Sequence, residues 1–102
     1  MDKWTYVLSQ AAEEDLGQIF DYTELEFGVD QAIQYFSEVE QLFYRLCDNP
    51  MLGRERKEIR EDLRAISCGS HVIFYRILTY QIRVVRVLHA SRDLPQFLKS
   101  AE

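Results

Sequence analysis

The sequence predicts an α+β fold of two layers in the order β-α-α-β-β-β, an N-terminal helical hairpin packed on an antiparallel sheet. Three observations lead to it. Residues 4–8 (WTYVL) are rich in aromatic and β-branched side chains, the two segments that follow repeat apolar residues at helical spacing, and most of the remainder falls into strand-length apolar runs. Strands grouped after the helices, rather than interleaved with them, favour a sheet covered on one face by the helical pair. The 102 residues read as one domain, 1–102, with room for a single modest core and with 94–102 as a flexible or partner-ordered tail.

Each element has a local cause. Ser9 is placed to cap the first helix, whose inner face is read as Ala12, Leu16, Ile19, Phe20, Thr23 and Phe27. Gly28 ends that helix, since glycine tolerates the left-handed conformation of a C-terminal cap. Asp30 is expected to open a second helix with Ala32, Ile33, Phe36, Val39, Leu42, Phe43 and Leu46 facing inward, and Asn49-Pro50 to stop it. A loop so short forces the two helices antiparallel. The polar stretch 51–60 (MLGRERKEIR) reads as a connection, 63–67 (LRAIS) as the second strand and 68–70 (CGS) as a turn. Residues 71–89 (HVIFYRILTYQIRVVRVLH) then supply a hairpin that contains Arg76, Arg83 and Arg86 and no acidic residue.

The net charge of −5 hides a division along the chain. Residues 1–50 hold eleven acids against Lys3 and Arg45, a balance of −9, while 51–92 hold nine bases against four acids, a balance of +5. The acidic half is equally well read as solvated helix faces. The basic half, concentrated on a hairpin, points to an anionic partner.

If the hairpin turns at Thr79-Tyr80, Arg76 faces Arg83 and Phe74 faces Val85. Alternation then places His71, Ile73, Tyr75, Ile77, Ile82, Val84, Arg86 and Leu88 on the more apolar face, under the helices. Val72, Phe74, Arg76, Leu78, Arg83, Val85, Val87 and His89 fall on the other face. Two arginines directly opposite repel, and an intervening carboxylate or phosphate would convert the repulsion into charge-assisted hydrogen bonds. With no third helix to cover it, this second face reads as an apolar strip beside cations, suited to an acidic protein partner. The competing reading has Leu94, Phe97 and Leu98 of the tail fold over the strip while the arginines bridge to Glu61 or Asp62.

Several classes are excluded by what the chain lacks. It has no apolar run near the roughly 20 residues of a membrane span, no leader-like opening, no phosphate-binding glycine loop and no metal-ligand spacing. No metal or cofactor is expected. Cys47 and Cys68 stand far apart among hydrophobic residues and read as reduced core cysteines in a cytoplasmic protein. The acidic composition and the absence of a recognition helix argue against direct DNA binding.

Five stretches together resemble one family: YVLSQAAEEDLGQIFDY, FGVDQAIQYF, NPMLGRERKEI with EDLRAI, HVIFYRI, and VVRVLHASRD. In this order they are similar to the ParE branch of the ParE/RelE toxin superfamily, from about Tyr6 to Asp93. The resemblance implies the toxin of a bacterial type II toxin–antitoxin pair, held inactive by a cognate antitoxin protein, and it agrees with the element order derived above.

The superfamily contains two activities. ParE-like members inhibit DNA gyrase without catalysis, with DNA contacted only through gyrase or the antitoxin. RelE-like members are ribosome-dependent mRNA endonucleases, which need an acid/base pair and cations for the developing phosphorane charge. A nuclease reading would rest on Arg64, Arg83 and His89. No tyrosine follows Tyr80, and the connector keeps only Lys57 where a nuclease would be expected to supply lysines, so the gyrase inhibitor is favoured. An inactive member retained as a binding module is the third reading. The antitoxin is expected on Phe74, Arg76, Arg83 and Val85, and the target on Arg86, His89, Arg92, Leu94 and Phe97.

Overall fold

Ser9 does more than cap a helix. Its Oγ accepts the Ala12 N–H at 3.0 Å, as expected, and donates to the Val85 carbonyl 76 residues away at 2.7 Å. The structure, a computed structural model, describes residues 3–92 and Leu98. Strand β1 (Thr5–Leu8) leads into helix α1 (Gln10–Phe27), and helix α2 (Val29–Asp48) starts one residue after it. Gly28, at φ 94°, serves both helices, so α2 begins at Val29 and Asp30 lies in its first turn.

Next come a 3₁₀ turn (Pro50–Leu52) and the strands β2 (Arg54–Glu55), β3 (Arg64–Cys68), β4 (His71–Leu78) and β5 (Gln81–His89). The two-layer α+β arrangement is as expected. The connector at 51–60, however, contains the additional strand β2, paired antiparallel with β3. Gly53 explains why it is held there: its N–H donates to the Tyr75 hydroxyl at 2.8 Å, and that hydroxyl donates to the Pro50 carbonyl at 2.7 Å. A Cβ at Gly53 would lie 2.7 Å from the Tyr75 ring, so only glycine allows this approach.

The sheet runs β1-β5-β4-β3-β2. It is mixed rather than wholly antiparallel, because β1 pairs parallel with β5. The helical hairpin between them is long enough to serve as the crossover that a parallel pair requires.

Near the turn, the β4–β5 register is the expected one, with Leu78 opposite Gln81 and Arg76 opposite Arg83. Beyond Tyr75–Val84 it changes: Phe74 is opposite Arg86, and Val85 is the extra residue of a β-bulge. The cause lies at the sheet edge. Strand β1 ends at Leu8, and past that point β5 is held by α1, through Ser9 on the Val85 carbonyl and Asp15 Oδ2 on the Val87 N–H at 3.0 Å.

One inserted residue reverses the faces of everything after it. Val87 joins the helix-side core with Ile73, Tyr75, Ile82, Val84, Leu42, Phe43 and Leu46, whereas Leu88, expected on that side, lies on the other. The second face is not an open strip. Phe74 and Val85 are fully buried in a separate cluster with Leu63, Ala65, Leu88 and Leu98, flanked by Ile59 and Val72. The helices depart from expectation in the opposite sense, since Phe27, Ile33 and Phe36, read as inward, are 68%, 56% and 43% exposed.

Candidate functional site

The bulge builds a site that simple alternation does not. His71 and His89 are directly opposite in the register, on the helix side, with ring centroids 5.4 Å apart in an edge-to-face arrangement. The expectation that they lie on opposite faces is therefore corrected, and Val85 is the reason. Together with Tyr22, Thr23, Phe27, Gln31, Tyr35 and Ser70 they line a cavity of about 550 Å³ between the helices and the open end of the hairpin. A second hollow of about 310 Å³ adjoins it, sharing Tyr22, His71 and His89 and reaching Asp15 and Arg92.

Hydrogen bonds orient the two imidazoles differently. The Tyr35 hydroxyl donates to the Cys68 carbonyl at 2.8 Å, so its contact with His71 Nδ1 at 2.7 Å is one in which the imidazole N–H donates. His71 Nε2 is left with its lone pair. Burial and the neighbouring His89 both lower the His71 pKa, which favours this neutral form. His89 is exposed and its Nδ1 faces Ser91, 2.8 Å from the hydroxyl and 3.1 Å from the backbone N–H.

Beside this cavity, Arg86 is turned inward. Its Nε and Nη2 donate to the two oxygens of Asp15 at 2.7 and 2.8 Å, a bidentate pair with side chains only 18% and 9% exposed. The Asp15 carboxylate raises the guanidinium pKa against the opposing effect of burial. Asp15 was not singled out by sequence, although a lone acid among Ala12, Leu16 and Ile19 on the inner face of α1 is the signal that could have found it.

On the far face, Arg76 Nε donates to Asp62 at 2.6 Å, with both side chains partly exposed. Arg83 stands opposite Arg76, whereas Phe74 and Val85, expected as contact residues, are fully buried with Leu63, Leu88 and Leu98 and offer a partner no surface. Arg64 is elsewhere, opposite Tyr75, and donates to the Gly53 carbonyl at 2.6 Å and to Glu55 at 3.3 Å. Arg64, Arg83 and His89 therefore do not converge. Arg92 lines the smaller hollow, and Leu94 and Phe97 lie outside the described residues.

Sequence reasoning also missed the outward apolar side chains of the helices. Leu25 and Val29 join Phe27, Ile33 and Phe36 among the exposed hydrophobics, and Phe36 meets Phe20 edge to face at 6.3 Å beside a groove of about 420 Å³. Burial pushes the Cys47 and Cys68 thiols up, which leaves them poor nucleophiles. Among the described residues, no helix is long and apolar enough to cross a membrane and no group of three or more ligating side chains converges.

Residues 6–94 match the family model described as the ParE toxin of the type II toxin–antitoxin system parDE. The chain belongs to the ParE toxin family. Toxin ParE1 of Mycobacterium tuberculosis is 45% identical over 94 residues, covering 91% of this chain and 96% of that protein. Toxin ParE1 of Caulobacter vibrioides is 36% identical over 88 residues, 86% and 91% of the respective chains, and Toxin ParE of Escherichia coli is 32% identical over 90 residues, 87% of each. A solved structure titled as the chromosomal ParDE TA system from P. aeruginosa matches with a TM-score of 0.73 at 16% identity, over 86% of this chain and 96% of that one. The last comparison supports the fold. As a ParE toxin, this chain keeps its family match across both the hairpin bulge and the Asp15–Arg86 pair that secures it.

Proposed function

We propose that this ParE toxin acts in the cytoplasm as a non-catalytic inhibitor of DNA gyrase and is neutralised by a cognate antitoxin protein. The family match over residues 6–94 is the observation that supports this reading. The dispersal of Arg64, Arg83 and His89 weighs against the RelE-like alternative, because acid/base cleavage of RNA needs its groups within reach of one phosphate. Contact with DNA is indirect, through gyrase or the antitoxin. The deciding experiment combines the purified toxin with gyrase and plasmid. Inhibited supercoiling or accumulated cleavage complexes, reversed by antitoxin, is the expected result; unaffected gyrase with codon-dependent mRNA cuts would establish the nuclease instead. A chain that affects neither, and leaves growth unchanged, would be the inactive binding module.

In this reading an acidic antitoxin segment approaches Arg76 and Arg83, while Phe74 and Val85, being fully buried, take no direct part in the contact. Because Asp62 already engages Arg76, the antitoxin carboxylates must displace it. Further apolar contact is available on the helices around Phe36. The double variant Arg76→Glu, Arg83→Glu is expected to weaken antitoxin binding by about 2–5 kcal/mol where the contacts are desolvated. Unchanged affinity in a folded double variant removes this surface from the interface.

Target contact is assigned to His89, Arg92 and the residues that follow, including Leu94 and Phe97. Arg86, engaged by Asp15, supports this end of β5 from behind. Because Leu98 is buried in the far-face core, the test keeps the full chain: the double variant His89→Ala, Arg92→Ala should fold, bind antitoxin and no longer inhibit gyrase. Full inhibition by that folded variant would reject the assignment.

A further inference from the structure

We infer that His71 and His89 form a bidentate site for a borderline-soft divalent transition-metal ion, of the class of Zn²⁺, Cu²⁺ or Ni²⁺. This goes beyond the toxin's action on gyrase and does not depend on it.

The strands provide the first argument. Two imidazoles directly opposite on one face of adjacent strands are fixed in relative position by the ladder itself. An ion held by two histidine nitrogens at about 2.0–2.1 Å, with tetrahedral angles, requires ring centres about 5 Å apart. The observed separation is 5.4 Å, which matches that spacing, and rotation of the edge-to-face rings about their side-chain torsions would bring the two nitrogens onto one ion.

The hydrogen bonds provide the second. A ligating histidine is typically oriented by donating its other ring N–H to a protein oxygen, which fixes the tautomer and presents the lone pair to the ion. His71 already has this arrangement: Nδ1–H donates to Tyr35, Tyr35 donates to the Cys68 carbonyl, and Nε2 keeps its lone pair. His89 has two available tautomers. With Nδ1 accepting the Ser91 N–H, the proton sits on Nε2; with Nδ1–H donating to the Ser91 hydroxyl at 2.8 Å, Nε2 becomes the ligand. Metal binding selects the second, moving one proton between ring nitrogens with no net change in charge.

The surroundings provide the third. His89 is exposed and the adjoining cavity of about 550 Å³ leaves room for water or a ligand atom from a partner in the remaining positions. With two nitrogen ligands and no carboxylate, the site should follow the order of imidazole affinity, Cu²⁺ above Zn²⁺ and Ni²⁺, and should ignore Mg²⁺ and Ca²⁺.

The test uses the full chain without a histidine tag, titrated with Zn²⁺ while the imidazole nitrogens are followed by NMR and binding by calorimetry. One Zn²⁺ per chain is expected to shift the nitrogens of both histidines, with Cu²⁺ tighter and Mg²⁺ without effect. His89→Ala, at an exposed position, should keep the fold and lose at least tenfold in Zn²⁺ affinity. Tyr35→Phe, which removes the positioning hydrogen bond together with the one to the Cys68 carbonyl, should lose about tenfold while the same imidazoles still respond. Unchanged affinity in a folded His89→Ala, or Zn²⁺ binding that shifts neither imidazole, would overturn the assignment in favour of scattered surface carboxylates.

Discussion

The two halves of the β4–β5 hairpin share a ladder but obey different rules. In the half next to the turn, each side chain lies where alternation puts it, and its cations pair at the surface, Arg76 with Asp62. In the half beyond Val85 the faces are reset, and Arg86 pairs inside the protein with Asp15. The same residue type thus serves two purposes. A partly exposed arginine remains exchangeable between an internal carboxylate and one from a partner, while one held bidentately by a nearly buried acid is a fixture of the fold.

Breaking each pair separately should expose this difference most strongly. Asp15→Ala removes the bidentate partner of the mostly buried Arg86 and the acceptor of the Val87 N–H, and should cost about 3 kcal/mol in a urea melt. Asp62→Ala should cost less than about 1 kcal/mol. Equal losses would mean that the two halves are not energetically distinct. Replacing both members of the inner pair by apolar residues, Asp15→Leu with Arg86→Met, should recover much of the loss.

A smaller effect is expected at Ser9, where one hydroxyl caps α1 and ties it to the bulge. Ser9→Ala should destabilise by about 1–2 kcal/mol. It should also increase hydrogen exchange at Val87 and not at Ile82; uniform exchange along β5 would deny Ser9 a local role in holding the bulge.

The smallest effect concerns the turn-side edge, far from the bulge. Tyr6, hydrogen-bonded to Glu40 at 3.3 Å and partly desolvated, has its pKa pushed up to about 12 from 10.0, with burial the larger cause and Glu40 the next. Because the native state holds this proton more tightly than the unfolded chain, the contribution is fully present below pH 10.0 and is lost as pH rises toward about 12. Tyr6→Phe should flatten that alkaline decline in melting temperature by a few degrees at most, roughly. An unchanged slope would assign the decline to other groups.

Much of this fold was legible because local and long-range preferences agree. Ser9, Gly28 and Asn49-Pro50 bound the helices through backbone chemistry that does not depend on the rest of the chain. The Thr79-Tyr80 turn entered as an assumption, because neither residue is a favoured former of a two-residue hairpin turn. Tyr80 adopts φ 55° despite its bulk, with its carbonyl accepting the Thr5 N–H and its ring against Trp4. The bulge was not legible: nothing about Val85 differs locally from Val84, and the register there is set by Ser9 and Asp15 from another part of the chain. The histidine pair was hidden for the same reason. Phe27, Ile33 and Phe36 misled because a helical period reveals an apolar stripe without saying what covers it.

The position of β5 has a consequence for how the toxin comes into being. The last strand lies between the first and the fourth, so β1 has no neighbour in the sheet until Gln81 to Val84 have been synthesised. The anchors of α1, at Val85, Arg86 and Val87, arrive later still. At about 5–20 residues per second, this interval lasts several seconds, during which the helical hairpin has no completed sheet to rest on. The sheet therefore closes in one late step, when β5 enters between β4 and the waiting β1.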